Sequence, residues 1–193
     1  MAKRILLIDC CVRGEQSRTL TLTRRWLAKQ EPGAQVEHLK LYDLELTPLP
    51  LEEVETRRDT RLAEQFAQAD EIVVAAPYWD LSFPAALKIW VENIYVRNLT
   101  FRYTLEGEPV GLAQGKQAIY ITTAGSPVSE NDWGAGYMRA VLTTLGIPEF
   151  RSIRAEGIDI QGWDVQGILR RAESEARAVG AALGKALASA TGR

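Results

Sequence analysis

Short apolar runs alternate with longer amphipathic stretches along the whole chain. Ile5–Ile8 is apolar without alternation, as in a strand buried on both faces. In Arg18 to Lys29, Leu20, Leu22, Trp26 and Leu27 form a helical stripe, with Ser17 placed to cap it and "EPGA" ending it. "QVEHLKLYDL" alternates, with Val36, Leu39 and Leu41 apolar, and predicts a second strand running into a loop. Glu52 to Ala69 predicts a charged helix, and "EIVVAAP" (71–77) is the clearest buried strand. In "SFPAALKIWVENIY", Ala86, Ile89, Trp90 and Ile94 recur at helical spacing, with Ser82 as the expected cap and Pro84 in the first turn. "TFRYTLEGEPVGL" (100–112) predicts a small hairpin bending at Gly107. "KQAIYITTAG" is a strand ending in small residues, followed by a helix over Asn131 to Leu145 whose start Gly134 and Gly136 weaken. "IPEFRSIRAEGI" is a fifth strand, and Gly162 to Ala190 a long terminal helix.

Apolar strands alternating with helices predict an α/β fold: a doubly wound parallel sheet of five strands with helices on both faces. With no internal repeat or low-complexity linker, residues 1–193 are expected to form one domain. In such sheets ligands bind beyond the carboxyl ends of the strands, at the topological switch point. The loops to examine are therefore "CCVRGEQSRT", "PYWDLSFP" and "TTAGSP", after strands one, three and four.

Composition narrows the class. Of 193 residues, 46% are hydrophobic and 25% charged, as in ordinary globular proteins. A net charge of −2 gives no basic footprint for nucleic acid and no cationic face for a membrane. The apolar run before Asp9 is too short for a signal peptide, and nothing approaches the roughly 20 apolar residues of a membrane span. Two adjacent cysteines make no disulfide framework, which fits a reducing compartment and a cytoplasmic enzyme. The single histidine, His38, is expected to face solvent from its strand.

The first loop has two readings. It enters a helix N-terminus, where free amides and the positive dipole end favour an anion such as phosphate. Ser17 and Thr19 add hydroxyls, Arg13 and Arg18 add charge, and Gly14 allows a tight path. It also suits a plain strand–helix turn with a serine cap. Neither the P-loop nor the G-x-G-x-x-G pattern is present. A cysteine-dependent phosphatase places its nucleophile here, with arginine six residues on. In this chain Arg18 lies seven beyond Cys11, and no acid loop follows later. In the second loop Tyr78 and Trp79 are either a rim of the core or a platform for a flat ring. "TTAGSP" offers small residues and hydroxyls beside such a ring, or a mere turn. Together the loops describe an elongated ligand with a phosphate at one end and a flat ring at the other.

The segments "IDCCVRGEQSRT", "AAPYWDLSFPAALK", "NLTFRYTLEGEPVGLAQGKQAIYITTAG" and "LGI" resemble the flavodoxin-like NAD(P)H:quinone oxidoreductases, most of all the FMN-dependent NADH azoreductases. The resemblance covers nearly the whole chain, and its most specific part is "TFRYTLEGEPVGL" against the family's TFRYTxxGPxGL. It implies an FMN phosphate held in the first loop by Ser17, Arg18 and Thr19, with Cys10 standing where the family has a serine and Cys11 where a proline often sits. A thiol is the weaker donor, so the cradle is expected to be looser. The resemblance also implies an isoalloxazine lined by Tyr78, Trp79, Asp80 and Leu81, and bounded by Thr123, Ala124, Gly125 and Ser126. Asp80 replaces a common asparagine; a carboxylate there would disfavour the anionic reduced ring and lower its potential. The implied activity is ping-pong hydride transfer from NADH or NADPH through FMN to a quinone or azo acceptor. A homodimer is implied, with backbone amides around Trp79 to Leu81 at the reactive edge. No side chain is singled out as catalytic, and no metal is expected. A non-catalytic binding protein on the same scaffold is the other class left open.

Overall fold

The computed structural model describes residues 2–130 and 132–190. The elements are β1 Arg4–Asp9, α1 Arg18–Leu27, β2 Gln35–Lys40, α2 Glu53–Thr56, α3 Arg61–Gln68, β3 Glu71–Ala75 and α4 Ala85–Ile94. Then follow β4 Phe101–Tyr103, β5 Pro109–Gly111, β6 Gln117–Ala124, α5 Trp133–Thr144, β7 Glu149–Glu156 and α6 Val165–Ala190. The main sheet has the order β2-β1-β3-β6-β7, with every pair parallel. The chain runs from β1 outward to β2, then back past β1 to β3. The switch therefore lies between β1 and β3, where the loops leaving their carboxyl ends diverge and a crevice must open.

Burial explains the sheet. All residues of β3 and β6 are buried, and all of β1 except Arg4, because helices cover both faces. On one face α3, α4 and α5 pack Phe66, Trp90, Met138 and Leu142 against Ile8, Val74 and Tyr120. On the other, α1 and α6 pack Leu20, Leu22, Trp26, Ala172 and Ala176 against Leu7, Val73, Ile121 and Ile153. At the amino end of the sheet Glu71 is buried, paired with Lys3, and accepts from Gln117 Nε2 at 2.6 Å.

Three local expectations are corrected. The helix over Glu52 to Ala69 is two helices, broken where Arg57 takes a left-handed φ of 42° and Asp59 Oδ1 accepts from the Arg61 amide at 3.1 Å. Ser82 does not cap α4; the extended Pro84 precedes it, and Ser82 closes a turn against Trp79. The fifth helix is capped by Asp132, whose Oδ1 accepts from Ala135 at 2.9 Å, and begins at Trp133; Asn131, where it was expected to start, lies outside the described residues.

The hairpin forms as expected, β4 antiparallel to β5, with Gly107 at φ +88°. Its base docks on the end of α5: Ala113 donates to Leu145 O at 3.0 Å, and Gly111 lies so close that a Cβ there would meet Gly146 N at 2.1 Å. Backbone cannot yield as a side chain would. Gly111→Ala is therefore expected to cost about 1–3 kcal/mol, read as a lower urea midpoint. An unchanged midpoint would show that the hairpin is not anchored there.

Candidate active site

Side chains fix the loop from β1 to α1 at both ends. At the strand end Asp9 is buried; its Oδ1 accepts from the Cys11 amide at 2.9 Å, and its Oδ2 lies 2.8 Å from His38 Nε2 on β2. The backbone then turns at Gly14, φ +50°. Ser17 closes the loop as the N-cap of α1, its extended backbone letting Oγ accept from Leu20 N at 3.2 Å. The Arg18 and Thr19 amides donate to no partner among the described residues and stand at the positive end of the helix. The hydroxyls of Thr19 and Thr123 lie 2.7 Å apart and tie α1 to the end of β6.

The loop after β3 is built just as tightly. Tyr78 N donates to Thr123 O at 3.0 Å, and Trp79 and Ser82 exchange backbone hydrogen bonds of 3.2 and 2.8 Å. The two residues between them, Asp80 and Leu81, have φ of +49° and +66°. This is the backbone of a type I′ turn, which ordinarily takes Asn-Gly; a leucine there is strained. The Asp80 and Leu81 amides have no acceptor among the described residues.

These loops and the end of β6 enclose a groove of about 160 Å³. Ser17, Arg18 and Thr19 line it from the first loop, Tyr78 and Trp79 from the second, Thr123 and Gly125 from the third. Asp80 and Leu81 form the exposed tip of the turn next to Trp79. Three expected residues stand elsewhere. Cys10 is fully buried against the α4 face, in the cluster of Leu87 and Trp90, because side chains alternate along a strand and Asp9 takes the other side. Cys11, not Cys10, reaches the groove. Ala124 is buried and Ser126 exposed, both outside the lining.

Burial pushes the Cys10 thiol up to about 12 and raises Cys11 as well, whose Sγ donates to Ala75 O at 3.6 Å. A nucleophilic cysteine needs the opposite shift, so the phosphatase reading has no thiolate to work with.

The sequence reading missed the far wall. Arg18 Nη1 donates to Ile158 O at 3.0 Å and pairs with Asp159 Oδ1 at 2.8 Å, so its side chain reaches from the first loop to the loop after β7. Asp159 and Ile158 both line the groove. The available signal was "EGIDI", where Gly157 (φ +75°) turns the chain off the end of β7. His38 is likewise not merely solvent-facing, since its ring nitrogen is engaged by the buried Asp9.

Comparison with known proteins agrees with this architecture. Residues 3–179 match the family model described as "Flavodoxin-like fold". A Clostridium acetobutylicum protein named FMN-dependent NADH:quinone oxidoreductase 2 is 46% identical over 61% of this chain, and the match spans 60% of that relative's length. A Clostridium perfringens FMN-dependent NADH:quinone oxidoreductase is 32% identical over 84% of this chain and 90% of its own. Among solved structures, an azoreductase from Bacillus anthracis superposes with a TM-score of 0.81 at 23% identity, covering 93% of this chain and 99% of its own. An FMN-dependent NADH-azoreductase from the same species, solved in complex with FMN, gives 0.81 at 23% identity, covering 94% and 99%. A five-stranded β2-β1-β3-β6-β7 parallel sheet, a groove at its switch point and a match over most of the chain converge: the chain belongs to the flavodoxin-like fold family, as a relative of the FMN-dependent NADH:quinone oxidoreductases.

Proposed function

We propose that this chain is an FMN-dependent oxidoreductase that takes a hydride from NADH or NADPH and reduces quinones, azo compounds or both. The observation that carries the reading is one groove with two kinds of unspent donor. At one end are the amides of Arg18 and Thr19 with the hydroxyl of Ser17; beside the other, on the exposed turn next to the half-exposed Trp79, are the amides of Asp80 and Leu81. The first set fits a phosphate, and the second fits a flat ring with polar edges. Arg13 lines the phosphate end and makes no ion pair among the described residues, so its charge is available to an anion. Gly125 lets the Asp159 side chain pack against the groove wall, where a Cβ would meet Asp159 Oδ2 at 2.6 Å. FMN fits this donor set.

Bound FMN supplies the hydride chemistry; the chain supplies position and electrostatics. The Ser17 hydroxyl and the Arg18 and Thr19 amides would hold the phosphate. Trp79 and Tyr78 would pack against the ring, and the strained Asp80–Leu81 turn would offer its amides to the ring's polar edge. Thr123 bounds the other side. With the ring side of the groove open to solvent at Trp79, donor and acceptor would bind there in turn, a ping-pong order. Residues 1–193 act as one domain, and a homodimer completes the site. The exposed Tyr103 and Leu105 of the hairpin and the exposed Leu81 beside the groove support a partner surface. The two free, buried cysteines suit a reducing cytoplasm. Among the described residues no helix is long and apolar enough to cross a membrane.

The test is reconstitution. Protein incubated with FMN and passed through gel filtration is expected to stay yellow, to bleach with NADH or NADPH without air, and to recover colour on adding a quinone. A colourless protein after filtration would remove the reading.

A further inference from the structure

The one histidine of the chain and a buried carboxylate meet directly behind the first loop, and no step above uses either. Asp9 sits at the last position of β1, its side chain 5% exposed. A carboxylate this deeply placed costs several kcal/mol unless it is hydrogen-bonded and paired. Asp9 is satisfied twice. One oxygen accepts from the Cys11 amide, closing a local turn two residues long; the other is held by His38 Nε2 from β2. The register sets His38 opposite Leu7, two residues before Asp9, so the ring reaches along the strand to the carboxylate. The surrounding charges are spoken for: Arg24 pairs with Glu15, and Lys40 lies 3.8 Å from Asp43. Asp9 and His38 therefore have each other.

The placement gives the pair a task. Cys11 is the first residue of the groove lining, and the Cys11 carbonyl accepts from Gly14 N at 3.0 Å, which starts the turn toward Ser17. The path of the loop from Cys11 to Ser17 thus begins at the bond from Cys11 N to Asp9, and the orientation of Asp9 is set by His38. We infer that Asp9 and His38 form a positioning pair that holds the first turn of the β1–α1 loop in the shape that receives the cofactor phosphate. The inference rests on reading that loop as the FMN phosphate cradle. Neither residue touches the cofactor; both act through the backbone at Cys11.

The structure supplies a readout that needs no cofactor. Cys11 is 7% exposed at the loop, whereas Cys10 next to it is fully buried in the opposite core. Labelling of the cofactor-free protein with a thiol reagent, resolved by mass spectrometry, separates loop opening at Cys11 from loosening of the core at Cys10. In His38→Ala, Cys11 is expected to label about tenfold faster with Cys10 unchanged, and FMN affinity to fall about tenfold by fluorescence titration, the size of one lost buried hydrogen bond. His38→Gln places an amide donor where Nε2 stands and is expected to return both values to within about twofold of the native protein. Equal labelling and affinity in His38→Ala would overturn the inference. So would faster labelling of both cysteines together, which would make the pair a prop of the whole fold. Should His38→Ala not fold, His38→Asn, whose shorter side chain draws its amide back from Asp9, takes its place: faster labelling of Cys11 alone with weaker FMN binding sustains the inference, and native values overturn it. Failure of native protein to bind FMN would sink the proposed function instead, while the Cys11 rates would still report on the loop.

Discussion

Ser17→Asp is expected to abolish FMN retention while leaving the protein folded. Ser17 does two jobs that a carboxylate separates. As the N-cap of α1 it accepts from Leu20 N, and aspartate caps a helix as well as serine does. Its negative charge even suits the helix dipole. The second job is to stand in the groove as a hydroxyl beside the unspent Arg18 and Thr19 amides. A carboxylate there would face the phosphate across roughly 4 Å, a repulsion of about 4 kcal/mol at an effective dielectric of 20. Affinity should fall at least a hundredfold on the same scale, with cooperative thermal unfolding retained. Ser17→Ala should show the opposite balance: a loss of about 1 kcal/mol of stability from the missing cap and a modest loss of FMN. If the aspartate variant emerges from gel filtration yellow, the phosphate does not bind at this helix.

The second large effect concerns Asp80. Asp80→Asn should raise the two-electron midpoint potential of the bound flavin by about 30 mV, equivalent to roughly 1.4 kcal/mol. Reduction adds negative charge to the ring, and the exposed carboxylate at the tip of the turn opposes it. Asparagine removes that charge and is itself preferred at the first position of a type I′ turn, so the loop keeps its shape. Because the carboxylate is exposed, salt should screen it: the difference between native and variant should shrink as ionic strength rises. A dye-coupled anaerobic titration at low and high salt measures both. Equal potentials in the two proteins would place the Asp80 side chain away from the ring.

Much of this site was legible in the residues because strand ends and helix starts carry local signals. Ser17 announces itself as a cap, "EIVVAAP" and "KQAIYITTAG" as buried strands, and the order of elements puts their carboxyl ends on one edge. What stayed hidden depended on which side of a strand a residue faces at its last turn. Cys10 and Cys11 are neighbours in sequence, yet they lie in opposite cores and only Cys11 reaches the groove, because Asp9 takes one side of the strand and alternation sends Cys10 to the other. The break in the helix over Glu52 to Ala69 was equally hidden, since every residue there tolerates a helix and only the left-handed Arg57 and the bond from the Arg61 amide to Asp59 end it.

The order of residues alone specifies the class of fold, the edge of the sheet that bears the site, and the residues of three loops that could meet there. These rest on periodicity, capping and turn chemistry, which act over a few residues. Tertiary structure alone decided that Arg18 reaches Asp159, that His38 holds Asp9, and that Thr19 and Thr123 join across the groove. Those partners are 141, 29 and 104 positions apart. No local preference encodes such a meeting. It follows only once parallel pairing has fixed the register, and with it the few ångströms within which a carboxylate, an imidazole or a hydroxyl finds its partner.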